Sequence, residues 1–114
     1  MSTMTPVQLT EKYLAYRVAH DVQGILAICA DNIELHTTKP LVGTTVIKGK
    51  DGLEGYLNAN KGGGTWEVVQ DLGDGTTNVK GKIEFAGGAV ALNADATFST
   101  VNGQITKIVV LLTV

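Results

Sequence analysis

Two tyrosines in a predicted N-terminal helix are the first residues whose type and spacing could support chemistry. Tyr13 and Tyr16 are three residues apart, and Leu9 before them and His20 after them continue the same helical face. Because this face should turn toward the rest of the fold, either phenol hydroxyl could donate a hydrogen bond to a bound molecule. The alternative is that both tyrosines are core residues whose hydroxyls bond to the backbone.

A predicted strand at 33–38 carries a second pair of candidates, which its alternation places on opposite faces. Thr37 has the parity of Leu35 and is expected to point inward, whereas His36 has the parity of Glu34 and is expected to point outward. Thr37 is either a polar group of a pocket or a threonine selected for its β propensity. His36 could act as a general base only if a bulge reversed its parity; otherwise it is an exposed or interface histidine.

Asp95 is the candidate acid of the C-terminal half. The glycines at 87–88 predict a two-residue hairpin turn, and the resulting register places Asp95 opposite Lys80 on the outer face of the sheet. In that position the two side chains form a cross-strand ion pair. A slip of one residue would turn Asp95 inward, where it could serve as a pocket acid.

The expected ligand contacts combine these residues with the large apolar side chains of the later strands. Trp66 and the two phenylalanines are expected in the core or in a cavity wall. The full set is Tyr13, Tyr16, Leu35, Thr37, Trp66, Phe85 and Phe98. No metal is expected, because the chain has one cysteine and two histidines on separate elements. None of the glycine clusters resembles a phosphate-binding loop, and no cofactor is expected.

The elements that must position these residues are readable from caps and periodicity. Thr5, Pro6 and Gln8 have the spacing of a capping box and predict the start of the first helix. Asp21 predicts the cap of a second helix that reaches residue 30, and residues 50–60 predict a third helix. Between the strand at 33–38 and the third helix lies a loop with a short extended piece at 45–48.

Four antiparallel strands should follow from residue 65 onward. They are separated by turn signals at 74–75, 87–88 and 102–103. The last strand, 104–114, is apolar on both faces, so it must be covered twice. The helices supply one cover, and a second subunit packed on the sheet is the expected other. The order of elements gives an α+β domain with three helices on one face of a curved sheet.

Length and charge limit the classes of function. The 114 residues form one domain, 1–114, with a net charge of −2 and a pI of about 5.5. Without a basic stripe, nucleic acid is not an expected partner. No apolar run approaches 18 residues and no signal peptide is visible, so we expect a soluble cytoplasmic protein without membrane association.

The chain resembles a known superfamily over nearly its whole length. The segment YLAYRVAHDVQGILAICADNIELH, then IKGKDGLEGYL and the terminal VNGQITKIVV, is similar to nuclear transport factor 2-like proteins. These include ketosteroid isomerase, scytalone dehydratase, limonene epoxide hydrolase and SnoaL-like polyketide cyclases. The resemblance implies a cone-shaped fold in which a strongly curved antiparallel sheet holds three helices on its concave face. One such fold carries many chemistries.

Ketosteroid isomerase is the member whose site residues can be compared one by one. The resemblance implies that Tyr13 is the hydrogen-bond donor on the first helix and that Asp95 is nearest to the protonated aspartic acid on a late strand. At the position of the proton-shuttling aspartate this sequence has Thr37, and a neutral hydroxyl cannot be that base at neutral pH. The resemblance therefore implies the fold but not that exact reaction.

Three functional interpretations remain open from the sequence. The first is a pocket protein of the SnoaL or ketosteroid isomerase type that binds a small hydrophobic molecule. The second is a cofactor-independent isomerase, dehydratase or cyclase with Tyr13 as donor and His36, Thr37 or Asp95 nearby. The third is a non-catalytic module that forms a homodimer through its sheet. The enzyme interpretation requires an open cavity under the first helix with an ionisable group inside it.

Overall fold

The computed structural model describes residues 4–59, 64–85 and 90–114. Three helices precede or interrupt the first strands, and the last four strands follow one another without a helix between them. In chain order the elements are α1 (Pro6–Ala19), α2 (Val22–Ile28), β1 (Cys29–Lys39), β2 (Gly43–Lys48), α3 (Gly49–Ala59), β3 (Gly64–Gly73), β4 (Thr76–Phe85), β5 (Val90–Val101) and β6 (Gln104–Thr113). No helix within the described residues is long and apolar enough to cross a membrane.

The six strands form one sheet in the order β2-β1-β6-β5-β4-β3. Neighbouring strands are antiparallel except β1 and β6, which are parallel. The helices lie against one side of this curved sheet, called the inner face below, and the opposite side is the outer face. The fold is therefore the α+β architecture expected from the sequence, with an additional regular strand at 43–48.

The start of α1 follows the predicted capping box. The hydroxyl of Thr5 accepts the backbone N–H of Gln8 at 3.1 Å, and the side chain of Gln8 accepts the backbone N–H of Thr5 at 2.9 Å. Pro6 occupies the first turn, where its missing N–H costs no helical hydrogen bond. This cap fixes where the helix begins and therefore which residues face the sheet.

The second helix ends two residues earlier than predicted. Cys29 and Ala30 belong to β1, because Cys29 already pairs with Ile105 of β6. From there to Glu34, which pairs with Lys107, β1 advances five residues while β6 advances two. The excess residues make a bulge, which a local helix pattern cannot reveal because it depends on a partner strand far along the chain.

The core lies between the helices and the inner face. Each helix contributes leucine or isoleucine to it, and the strands contribute residues of one parity. Its largest fully buried members are Phe98, Leu9, Ile25, Ile33, Leu53, Ile105, Ile108 and Val79. The Tyr13 ring packs edge-on against Phe98, with 5.0 Å between ring centroids and 66° between planes. α1 therefore rests directly on the middle of β5.

The last strand is covered on one side only within this chain. Ile105, Ile108 and Leu112 are buried in the core, whereas Val109 and Leu111 are 39% and 47% exposed on the outer face. The apolar residues on both faces of β6 thus have different surroundings. The predicted second cover is not part of a single chain, and it remains a question of assembly.

Candidate functional site

The predicted inward residues are found in the interior, but they are closely packed. Tyr13 is 6% exposed and Thr37 is 4% exposed, and both belong to elements that enclose the core. Leu35 and Phe98 are also buried there. Because the Tyr13 ring lies on Phe98, aromatic contact fills the space directly beneath this part of α1. The geometry favours a structural role for this tyrosine ring.

The Tyr13 hydroxyl is held in its protonated form. Burial raises its pKa far above 10, and the nearby Cys29 and Tyr56 raise it further, while Arg17 has the opposite effect. A phenol in this state can donate a proton in a hydrogen bond but cannot act as a base at physiological pH. Burial likewise raises the pKa of the Cys29 thiol to about 12, so this cysteine is not a poised nucleophile.

His36 and Asp95 lie on the outer face, as their parity and register predict. His36 Nε2 is 2.9 Å from Glu34 Oε1, and this contact is the main reason that the pKa of Glu34 is lowered. Asp95 Oδ1 accepts a 2.6 Å hydrogen bond from Asn78 Nδ2. The backbone of Asp95 pairs with Lys80, so the predicted register is confirmed without a slip. The sheet therefore separates these two groups from Tyr13.

A pocket lies instead where the ends of the three helices meet. It has a volume of about 270 Å³ and is bounded by the C-terminal end of α1, by α2 and by the end of α3. Its wall combines apolar side chains with the polar tips of a tyrosine, an arginine, a histidine and an asparagine. We call it the helix pocket; its lining is Tyr16, Arg17, His20, Val22, Ile25, Leu57 and Asn58.

The turn between α1 and α2 shapes one wall of the helix pocket. His20 has a left-handed backbone with φ of 55°, and its N–H is bonded to the Arg17 carbonyl at 3.2 Å. The N–H of Asp21 donates to the carbonyl of Tyr16 at 2.9 Å. These bonds satisfy carbonyls that a helix end otherwise leaves unpaired. They also reverse the chain tightly enough to bring α2 beside the last turn of α1.

Glycine at position 24 permits close packing behind the pocket. A Cβ at Gly24 would lie 3.1 Å from Cδ1 of Tyr16 and 2.7 Å from a carboxylate oxygen of Asp21. The Asp21 side chain caps α2 by accepting the Gly24 N–H at 2.9 Å. Between the other two helices, the Gln23 amide donates to the Glu54 carboxylate at 2.9 Å. These contacts hold the three walls of the helix pocket together.

A second depression lies on the other side of α1 and is more open. This α1–β3 groove has a volume of about 430 Å³ and contains Trp66, which the sequence suggested as a cavity wall. The remaining lining residues are Glu11, Leu14, Ala15, Val18, Thr65 and Val69. It is shared by a helix and an edge strand, so Trp66 and Tyr16 belong to different depressions.

The sequence analysis identified one of the seven residues of the helix pocket. Tyr16 was expected as a ligand contact, and His20 was placed on the same helical face but interpreted as a helix-end residue. Arg17 was assigned to solvent, although it is one residue from Tyr16 and three from His20. The side chain of Phe85 lies outside what the structure describes. No group of three metal-ligating side chains occurs among the described residues.

Comparisons with known proteins identify the architecture. No protein-family model matches the sequence, and no curated protein sequence matches it. An NTF2-like protein of unknown function from Cytophaga hutchinsonii superimposes with a TM-score of 0.82 at 12% identity, over 97% of this chain and 92% of that one. One from Mesorhizobium loti gives 0.83 at 12% identity, over 96% and 91%. A candidate ketosteroid isomerase from Kribbella flavida gives 0.74 at 15% identity, over 96% and 78%. The chain therefore has the nuclear transport factor 2-like fold.

Proposed function

We propose that this protein binds a small molecule with an apolar body in the helix pocket. The observation that carries the proposal is the composition of the lining. Val22, Ile25 and Leu57 provide apolar surface, while Tyr16 and Asn58 provide hydrogen-bonding groups beside it. Ligand sites commonly combine a mostly apolar wall with a few polar groups that fix orientation. At about 270 Å³ the pocket suits a compact ligand.

A catalytic function built on Tyr13 has weaker support. The tyrosine packs on Phe98 in the core, and the two ionisable partners suggested by the sequence, His36 and Asp95, lie across the sheet from it. General acid–base catalysis needs its groups within hydrogen-bonding reach of one bound molecule. Binding without turnover is therefore the simpler function for this geometry.

A pair of neighbouring substitutions on α3 tests the binding proposal. Asn58→Trp should fill the helix pocket, whereas Ala59→Trp adds the same ring to an exposed residue outside its lining. With benzyl alcohol as probe, calorimetric titration should detect millimolar binding to the wild type and to Ala59→Trp, because compact apolar probes gain little contact area. Binding should be lost in Asn58→Trp. Equal binding by all three proteins, or none by the wild type, would reject the proposal.

The outer face supports a second candidate function, assembly into a homodimer. Val109 and Leu111 are exposed near the centre of the sheet, and Val46 of β2 is 45% exposed in the same row as Val109 and His36. Charged side chains such as Lys107 surround this apolar strip. An apolar centre with a polar rim is typical of subunit interfaces, and a two-fold axis would bring two such strips together. This function is compatible with ligand binding on the inner side.

A further inference from the structure

The helix pocket has a charge opposite to that of the whole chain. The protein has a net charge of −2, yet the lining includes one arginine and no acidic residue. Tyr16, His20 and Asn58 add groups that can donate hydrogen bonds. A pocket with this complement of side chains favours a ligand that carries negative charge or accepts several hydrogen bonds.

The acidic groups nearest in the fold already have partners. The Asp21 carboxylate accepts the Gly24 N–H, and the Glu54 carboxylate accepts the amide of Gln23, both at 2.9 Å. The carbonyl oxygens of Tyr16 and Arg17 at the end of α1 also accept backbone N–H groups. The usual negative end of a helix is thus partly neutralised at this point.

Arg17 is the residue best suited to read an anion. It is half-buried in the lining, and a guanidinium offers five N–H donors in a planar fork that matches a carboxylate. Arg17 already interacts with other groups of the protein, which helps to hold it in place and leaves donors for a ligand. Burial raises the pKa of Tyr13, and the Arg17 charge counteracts that effect, so the charge acts toward the interior.

We propose that the ligand of the helix pocket is a small organic acid, with its apolar body against Val22, Ile25 and Leu57 and its carboxylate on Arg17. This inference rests on the proposed binding function and specifies its ligand class. Tyr16 and Asn58 flank the carboxylate position and can complete its hydrogen bonds. A carboxylate on a guanidinium gains from charge as well as geometry, and a compact apolar body gains from burial.

Benzoate and its neutral analogue benzamide provide the test, because they share size and shape. Calorimetric titration of the wild type should give roughly tenfold tighter binding for benzoate, as expected for one partly exposed charge-assisted contact. Arg17→Gln should bring the two affinities together by weakening benzoate alone. Lys107→Gln, which removes the same charge from the outer face, should keep the difference. Circular dichroism and thermal melting confirm that each variant is folded.

The outcomes separate this inference from the function on which it depends. Equal binding of the two probes by the wild type would overturn the acid-ligand inference while leaving a neutral ligand in the pocket. A benzoate preference that persists in folded Arg17→Gln would also overturn it, because another group would then read the anion. Binding of neither probe at tens of millimolar would reject the pocket itself as a binding site.

Discussion

Tyr13 illustrates how much one residue type can mean in two different roles. The sequence places it correctly on the buried face of α1, since a period of 3.6 residues defines that face. Periodicity cannot distinguish a ligand contact from a core contact, because both require an inward side chain. The distinction comes from Phe98, which occupies the space beneath the ring. Arg17 was missed for the related reason that its spacing resembles that of an ordinary solvent-facing residue.

The packing of Tyr13 predicts unequal costs for two substitutions. Tyr13→Ala should lower the free energy of unfolding by about 3–5 kcal/mol, because it leaves a cavity above Phe98. Tyr13→Phe keeps the ring contact and should cost less than about 1.5 kcal/mol. Chemical denaturation of the two variants and the wild type measures both values. A cost below about 1 kcal/mol for Tyr13→Ala would contradict the buried position of the ring.

The raised pKa of Tyr13 also predicts a loss of stability in alkali. Below about pH 10 the phenol is protonated in both states and has no effect on the pH dependence. Above that pH the unfolded chain releases a proton that the folded protein keeps, so stability falls by up to about 1.4 kcal/mol per pH unit through this group. Tyr13→Phe should show a shallower decline in unfolding free energy between pH 10 and 11.5. Parallel declines in the two proteins would show that the hydroxyl is not buried.

At the scale of elements, local signals succeeded where local chemistry decides the structure. The capping box of α1, the turns at 74–75 and 102–103, and the β4–β5 register are all as predicted. The turn at 87–88 itself lies outside the described residues. Errors occur where a distant partner decides: β1 starts early because of β6, and β2 is longer than expected because β1 pairs with all of it.

The crossing of β3 over β4 makes Gly81 a sensitive position. Glu67 is an extra residue in the pairing of these strands, and the bulge brings Thr65 and Trp66 over Gly81. A Cβ there would collide with the Thr65 carbonyl oxygen and lie 2.9 Å from the Trp66 Cα. Both contacts are backbone atoms, so Gly81→Ala should destabilise the protein by about 1–3 kcal/mol in a denaturant titration.

Gly55 in α3 is the matched control, because a Cβ there meets nothing within 4 Å and its φ is not positive. Gly55→Ala should instead stabilise the protein by up to about 1 kcal/mol through helix propensity. Similar effects of the two substitutions would show that the β3 crossing does not constrain Gly81.

At the scale of the whole molecule, the fold was more predictable than the site. The order of helices and strands is set by periodicity and turn chemistry, and it resembles one superfamily along the chain. The helix pocket depends on how three helix ends meet, through Gly24, the turn at His20 and the Gln23–Glu54 contact. None of these contacts has a periodic signature, so the pocket could not be located before the structure.

The exposed centre of the outer face predicts a dimer. Leu111→Lys places a charge on the apolar strip and should shift sedimentation velocity profiles from dimer to monomer, because a buried unpaired charge is costly. Val101→Lys is the control, since Val101 is 57% exposed at the end of β5 beside the last turn. A wild-type protein that sediments as a monomer over a wide concentration range would reject the assembly function.

The most direct test of the account is a heteronuclear NMR titration of the wild type with benzyl alcohol and benzoate. The account predicts that amide shift changes concentrate at residues 16–25 and 57–58, the end of α1 with α2 and the end of α3. Changes centred on Thr37 and Phe98, or on Trp66 in the α1–β3 groove, would place the ligand elsewhere and contradict it. So would an unchanged spectrum at saturating probe.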